Sequence, residues 1–420
     1  MIEGYILDWF NLLFRWLHII FGAAWIGTSF YFNWLNHSIR KPEESVEGIS
    51  GHLYSVHGGH FYRVLKYDGA PAKLPKTLHW FKWEAYFTWI TGFGLLAIIY
   101  YFNETGLVSN TEDSIGRYTA IGVSVGVLVG GWIIYDLMCK SPLSKQLVPF
   151  TIIGFCLATA IAYGLTLIFG SRAAYIHIGA MLGTIMAANV FFVIIPNQKI
   201  MVNTMLKGEK PDTSLGDAGA LRSLHNNYIT VPVLFIMVSN HYPMTFTHEY
   251  NWAILAGLAI IGASARHYFN AKHKGHHNVW ILPAAAVGMF ALAFVSKPQP
   301  IEAQSANNTE NATITLELSS DVLDRVFASG VPDEVAFSII EKRCTPCHSD
   351  APSMSGYPGY PSAPKNIKYN SVKDIQDEVA QLLINGLVVN SDYMPYQNMT
   401  EITATERRFL GKWVESKQIE

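Results

Sequence analysis

Apolar residues are gathered along this chain into eight runs, at about 8–35, 83–102, 118–138, 148–169, 173–195, 226–242, 251–269 and 279–296. A helix needs about 20 apolar residues to cross a bilayer. Each run is near that length, the sixth short and the first long. The pattern predicts an all-α fold in which residues 1–297 form a polytopic eight-helix transmembrane bundle. Glu3 and Asp8 precede Arg15, so the first run lacks the basic flank of a removable signal and is expected to remain as a span.

The polar stretches between the runs predict the orientation. Arg40, Lys41, Arg63, Lys66, Lys73, Lys76 and Lys82 follow the first run, and Lys140 and Lys145 follow the third. Lys199, Lys207, Lys210 and Arg222 follow the fifth, and Arg266, Lys272 and Lys274 follow the seventh. Segments 103–116 and 243–250 contain neither Lys nor Arg. Basic loops stay cytoplasmic, so eight spans place both termini on the outer side of a bacterial inner membrane. Half of the chain is hydrophobic, 15% is charged and the formal net charge is −2. That balance predicts a lipid bilayer as partner and no nucleic acid.

After the last run the pattern changes. Segment 298–320 is polar and aperiodic and reads as a flexible linker. Residues 321–420 read as a small helical domain. Asp321 to Arg343 is an expected helix with Val322, Val326, Val335, Phe337, Ile339 and Ile340 available for its buried face. A Pro/Gly/Ser-rich loop covers 351–364, and a closing helix at 404–415 carries Phe409, Leu410, Trp413 and Val414. Directly after the first of these helices stands Cys344-Thr345-Pro346-Cys347-His348, and C-x-x-C-H is the attachment signal of a c-type haem. Two thiols bind the haem vinyl groups and the histidine is an axial iron ligand. A zinc site would need two further ligands, and neither Cys nor His follows His348. The order resembles a class I cytochrome c, which implies one covalent haem c held by Cys344, Cys347 and His348. In that family the second axial ligand is a Met before the last helix. Met394 in Ser391-Asp392-Tyr393-Met394-Pro395 matches, with Met399 and Met354 as alternatives.

Polar groups inside the spans are costly, so each is a candidate for function. Arg15 and His18 lie one turn apart in the first span. Glu84 opens the second, Tyr135 and Asp136 lie in the third, and His177 and Asn189 in the fifth. His225-Asn226-Asn227-Tyr228 opens the sixth, Asn240-His241 ends it, and Arg266-His267 ends the seventh. The blander readings are snorkelling near the interface for His225, Arg266 and His267, a solvated basic loop for His273, His276 and His277, and a polar loop for His52, His57 and His60. Cys139 and Cys156 read as packing residues. Gly27-Thr28-x4-Asn33 recurs as Gly183-Thr184-x4-Asn189, and Tyr86-x-Thr88 as Tyr228-x-Thr230. This weak repeat points to two related four-helix halves, whose interface is a common place for a binding site.

Together these segments resemble the bacterial membrane-bound, cytochrome-c-linked urate oxidases (urate hydroxylases), over the whole chain. The resemblance is carried by Arg15-Trp16-Leu17-His18, Trp25-Ile26-Gly27-Thr28-Ser29-Phe30, Tyr175-Ile176-His177-Ile178-Gly179-Ala180, Ile195-Pro196-Asn197-Gln198, His225-Asn226-Asn227-Tyr228, Ser239-Asn240-His241-Tyr242-Pro243 and Arg266-His267-Tyr268-Phe269-Asn270. It implies oxidation of urate with water to 5-hydroxyisourate in the membrane domain. Electrons would leave through haem c to a downstream cytochrome or terminal oxidase, and not directly to dioxygen. The first-span histidine followed by Trp-Ile-Gly is also similar to small membrane proteins that carry haem b, so a haem b in the membrane domain stays open.

Urate is a flat anion at neutral pH. A site for it needs a cation, ring-edge donors and acceptors, and an aromatic face. Arg15 or Arg266 supplies the cation, Asn33, Asn226 and Asn227 the edges, and His18 or Glu84 a proton acceptor. His225 and His267 complete the candidate set. Two other readings remain open here: a quinol- or other substrate-oxidising cytochrome b/c fusion, and a non-catalytic membrane-anchored electron carrier.

Overall fold

The computed structural model describes residues 2–44, 46–69, 71, 74–102, 107, 115–239, 242, 245–246, 248, 250–273, 278–296, 331–350, 367–389, 394, 400 and 402–417. The chain divides into two compact units, Met1–Val108 with Asp113–Lys297, and Pro298–Glu420 with Ser109–Glu112. The expected linker 298–320, Asn240, His241, Met354 and Met399 lie outside the described residues.

In the first unit, helices fall on all eight apolar runs. They are α1 (Ile2–Ser38), α2 (Trp83–Leu96), α3 (Arg117–Lys140), α4 (Leu147–Thr166), α5 (Ser171–Ala188) continuing into α6 (Ile195–Leu206), α7 (Thr213–Ser239), α8 (Asn251–His273) and α9 (Ile281–Val295). Among the described residues four helical stretches are long and apolar enough to cross a membrane: Trp9–Ser38, Arg117–Lys140, Leu147–Thr166 and Ser171–Leu206. Their outward faces carry large apolar side chains such as Trp16, Ile19, Leu137 and Val148. α9 buries no residue at all although it is almost wholly apolar. Such helices require an apolar surrounding on their outer faces.

The centre of this unit is α5, lined by Ala173, Ala174, Gly179, Ala187 and Ala188, small residues that let neighbouring backbones come close. The close approach is sharpest between α1 and α2. A Cβ at Gly92 would stand 2.8 Å from the His18 ring, so only glycine fits there. Two stretches widen to π-helix, Ala97–Tyr101 after α2 and Asn189–Ile194 after α5. The second precedes Pro196, which has no N–H to continue the regular ladder.

Two features depart from the sequence expectation. The segment expected as a polar loop in an all-α protein contains an antiparallel hairpin, β1 (Ile49–His57) with β2 (His60–Tyr67). Gly58 and Gly59 turn it with φ of +58° and +80°. Positive φ at both central residues is the two-residue turn that matches the strand twist, and glycine adopts it without strain. The second departure is α7, which begins at Thr213 and not near 226. His225, Asn226 and Asn227 therefore stand mid-helix, where a span mouth was expected.

The second unit is a small helical core of α10 (Asp333–Arg343), α11 (Val372–Ile375), α12 (Glu378–Ile384) and α13 (Ala404–Lys417). Of the residues expected to be buried, Ile339, Ile340, Phe409, Leu410, Trp413 and Val414 are in the core, with Val335 and Phe337 packed against it. Val322 and Val326 lie outside the described residues. Arg343 joins Glu406 through Nε at 3.0 and 3.1 Å and Nη2 at 2.9 Å, which ties α10 to α13. Trp413 Nε1 donates to Asp333 Oδ1 at 2.8 Å between the same helices.

Candidate functional site

Two polar clusters meet on α7 because Asn226 and Asn227 are consecutive and leave the helix on different sides. On one side, Asn226 Oδ1 accepts from Asn189 Nδ2 at 2.8 Å, and Asn226 Nδ2 donates to the Met186 carbonyl at 3.0 Å. Arg222 donates to Asn189 Oδ1 at 3.2 Å and to Asp136 Oδ1 at 2.7 Å. Asn189 Nδ2 also donates to the Tyr135 oxygen at 3.3 Å. The Tyr135 O–H is thereby left to donate to His225 Nδ1 at 2.8 Å. His225 stacks on Phe150, with ring centres 4.7 Å apart. In this cluster the Asp136 carboxylate pairs with both Arg222, at 2.7 Å, and Lys140, at 2.6 Å.

On the other side, Asn227 Oδ1 accepts from both Arg266 Nε at 2.8 Å and Asn270 Nδ2 at 2.9 Å. Asn33 Nδ2 donates to Asn270 Oδ1 at 2.7 Å. The Arg266 guanidinium lies 3.8 Å from the centre of the Phe30 ring, a cation–π contact. Arg266 is 8% exposed and Asn227 3%. No described carboxylate pairs with Arg266, and Asn227 Nδ2 is buried without a partner. A buried cation without an anion and a buried amide without an acceptor are both costly, and one planar anion satisfies both. One residue further along α7 and α8, the Tyr228 hydroxyl bonds His267 Nδ1 at 2.8 Å.

The other sequence candidates stand elsewhere. His18 bonds the Thr88 carbonyl at 2.9 Å and Thr91 Oγ1 at 3.2 Å through Nδ1, fastening α1 to α2. Arg15 donates to Asn11 at 3.1 Å and makes no hydrogen bond to His18. The two share a face but not a contact. Glu84, in the first turn of α2, has a buried Oε2 with no partner. His177 is fully buried and bonded at both ring nitrogens, to the Ala173 carbonyl at 2.6 Å and Ser124 at 2.7 Å. His52 and His57 are five positions apart on one strand, so they lie on opposite faces of the hairpin. No group of three or more His, Cys, Asp or Glu among the described residues is placed to hold a metal ion. Sequence reading missed Asn270 and the partnership of Asn189 with Arg222. The repeated spacing Arg222-x3-Asn226 and Arg266-x3-Asn270 was the available signal.

In the second unit, Cys344 is buried and the backbone amides of Cys347 and His348 both donate to its carbonyl, at 3.0 and 2.8 Å. One tight turn thus carries both thiols and the imidazole, and neither cysteine is bridged. Burial pushes the Cys344 thiol up to about 12. His348 Nδ1 donates to the Ile367 carbonyl at 3.0 Å, which fixes the ring and leaves Nε2 for an axial bond. Met394 packs against the core that contains Cys344. Its carbonyl accepts from Arg407 at 3.0 Å. This donor set fits a c-type haem.

The first unit is thus helical, with four helices long and apolar enough to cross a membrane and an interior arginine that pairs with no described carboxylate. The urate oxidase N-terminal family model matches residues 4–297, and the chain belongs to that family. No curated protein and no solved structure matches it.

Proposed function

We propose that the first unit oxidises urate at the Arg266 cluster, and that the chain passes the electrons to a c-type haem on its C-terminal unit. The observation that carries this reading is Arg266, seated on Phe30 without a carboxylate, next to the unpaired Nδ2 of Asn227. Urate plus water gives 5-hydroxyisourate, two protons and two electrons. Arg266 binds the urate anion and holds it against Phe30. Asn227 Nδ2 donates to a ring-edge acceptor, and Asn33 and Asn270 hold Asn227 and each other in place. His267, oriented by Tyr228, takes the proton of the attacking water. Cys344, Cys347, His348 and Met394 would hold the haem, which would supply a one-electron acceptor in place of dioxygen.

The eight helices are read as eight spans of a bacterial inner membrane, with both termini outside. Asn33, Arg266 and Asn270 then lie in the cytoplasmic half, close to the ends of α1 and α8. Anaerobic urate added to the purified, haem-loaded protein is expected to reduce the c-type band, two equivalents for each 5-hydroxyisourate formed. A band that stays oxidised while quinol reduces it overturns the proposal.

A further inference from the structure

The hairpin between α1 and α2 shows an apolar face where a polar loop would show none. Residues paired across an antiparallel ladder lie on the same face, so Val56 with Phe61, Tyr54 with Arg63 and His52 with Leu65 share one. Phe61 is 83% exposed and Val56 64%, directly behind the Gly58-Gly59 turn. Tyr54 is exposed too, and the Arg63 guanidinium lies 5.3 Å from its ring centre. The face is therefore apolar at the turn and carries an aromatic ring with a cation further up. Residues 49–67 contain Arg63 and Lys66 and neither Asp nor Glu, and Arg63 pairs with no described carboxylate. A two-stranded hairpin is at best marginally stable in water by itself, so a surface that covers this face also stabilises the hairpin.

The root of the hairpin is fastened to the end of α1. Lys66 Nζ donates to Asn36 Oδ1 at 2.6 Å. Arg40 and His52 exchange backbone hydrogen bonds at 3.0 and 2.9 Å, and a Cβ at Gly51 would run into Ile39 and the Arg40 carbonyl. The Arg40–His52 bridge is antiparallel, so β1 runs opposite to the chain as it leaves α1. The same end of α1 exposes Tyr31, Phe32 and Trp34. Phe81 and Trp83, at the start of α2, are exposed as well, and the Phe32 and Phe81 ring centres are 4.8 Å apart. Exposed aromatic rings gather where a span meets the headgroups. Asn36 is four residues past Phe32, about 6 Å along the helix, and a headgroup layer is about 5–8 Å deep. With α1 read as a span, the root of the hairpin stands at headgroup level.

We infer that the hairpin folds back onto the membrane that α1 crosses and docks its Val56–Phe61 face on anionic lipid. The inference rests on the reading of α1 and α9 as spans and does not depend on urate. Val56 and Phe61 enter the boundary between headgroups and acyl chains, Tyr54 lies just above them, and Arg63 meets a lipid phosphate. Interfacial segments place apolar, aromatic and basic side chains in that order of depth. A bilayer already at the root, and a hairpin that carries cations without carboxylates, select lipid over a second protein as the occupant. Docking steadies the end of α1, the helix that carries Phe30 and Asn33 to the anion cluster.

The test places the full-length protein, one chain per disc, in phosphatidylcholine nanodiscs with or without phosphatidylglycerol. A phosphatidylcholine with a photoreactive diazirine high on its acyl chain reports contact, read by peptide mapping. The α9 peptide, with Phe290 and Phe294 exposed, is the internal standard for a lipid-facing segment. In wild type the 49–67 peptide should be labelled at Val56 or Phe61, and more strongly once phosphatidylglycerol is present. Val56→Ser combined with Phe61→Ser should lose the hairpin label and keep that of α9. Arg63→Gln should lower the gain from phosphatidylglycerol by about fivefold, the worth of one basic residue at an anionic surface. Labelling of α9 without labelling of the wild-type hairpin overturns the inference, and so does a hairpin label that neither variant changes. If α9 is unlabelled too, the reading of the helices as spans fails and the docking fails with it. A hairpin label confined to discs that hold two chains assigns the face to a second copy and likewise overturns it.

Discussion

Asn33 donates to Asn270 at 2.7 Å and so joins α1 to α8 across 237 residues of chain. Asn189 makes the same bond to Asn226 at 2.8 Å. Each pair unites the asparagine of a Gly-Thr-x4-Asn helix with that of an Arg-x3-Asn helix. Each arginine lies over an aromatic ring, Arg222 over Trp132 and Tyr135, Arg266 over Phe30. The clusters part at the carboxylate. Asp136 closes the first, and among the described residues nothing anionic closes the second.

This difference predicts opposite results from the same substitution. Arg222→Gln removes the donor to the buried Asn189 Oδ1 and one of the two cations on Asp136, which keeps Lys140 at 2.6 Å. Asp136 keeps Lys140 and 15% side-chain exposure, so the cost is that of the buried Asn189 oxygen left without its donor, about 1–3 kcal/mol. The melting temperature of the first unit should fall by several degrees. Arg266→Gln removes a cation that pairs with no described carboxylate, and Asn227 Oδ1 keeps Asn270 as its donor. It should leave the melting temperature near wild type and abolish the thermal shift produced by urate. Urate stabilising Arg266→Gln as it does the wild type would move the site elsewhere.

Asn227→Asp should build into the second cluster the closure that Asp136 builds into the first. The new carboxylate takes the place of an oxygen that already accepts from Arg266 and Asn270, and removes the unpaired Nδ2. The folded protein should be as stable as wild type or more so. Urate affinity, followed by equilibrium dialysis, should fall by about tenfold or more, since a charge-assisted bond to an anion is worth about 1.5–3 kcal/mol. Affinity within twofold of wild type would contradict the assignment.

The helices were legible because burial in lipid imposes one long apolar period, and that period survives without knowledge of the neighbours. The hairpin was written in the alternation around His57-Gly58-Gly59-His60, but the expectation of a polar loop between spans concealed it. The anion cluster was legible only in part. Arg266, Asn227 and Asn33 stood out as costly polar groups, but nothing local distinguishes Arg266 from Arg222. That distinction lies in Asp136, which reaches Arg222 from another helix. Arg15 and His18 looked like a pair by spacing, yet packing turns His18 into Gly92 and the Thr88 carbonyl.

For the c-type haem proposed on the second unit, Cys344→Ala or Cys347→Ala should remove most haem staining on a denaturing gel, because each thiol would form one of the two covalent links. Met394→His replaces a thioether, which favours ferrous iron, with an imidazole, which favours ferric. The reduction potential should fall, measured by redox titration of the c-type band, and urate binding should be unaffected. A normal potential in Met394→His together with a lowered one in Met399→His would move the axial bond to Met399.

Asp333 gives the second unit a pH limit. Burial raises its carboxyl, but hydrogen bonds from Lys417, Trp413 and Gln376, together with the Lys417 charge, outweigh that and hold it down to about 2. An unfolded chain restores it to about 3.9. A carboxyl lowered by folding stabilises the fold above its unfolded value and loses that contribution as pH falls through its folded value. The contribution is therefore complete above about pH 4 and gone near pH 2. Glu406 is lowered too, with burial opposing and the Thr403 amide and Arg343 prevailing, so acid loosens both contacts between α10 and α13. Asp333→Asn should lower protection of the 404–417 amides in hydrogen exchange at pH 7, and the gap from wild type should narrow steadily below pH 4. A gap that stays constant down to pH 2 would show that the Asp333 charge does not hold α13 in place.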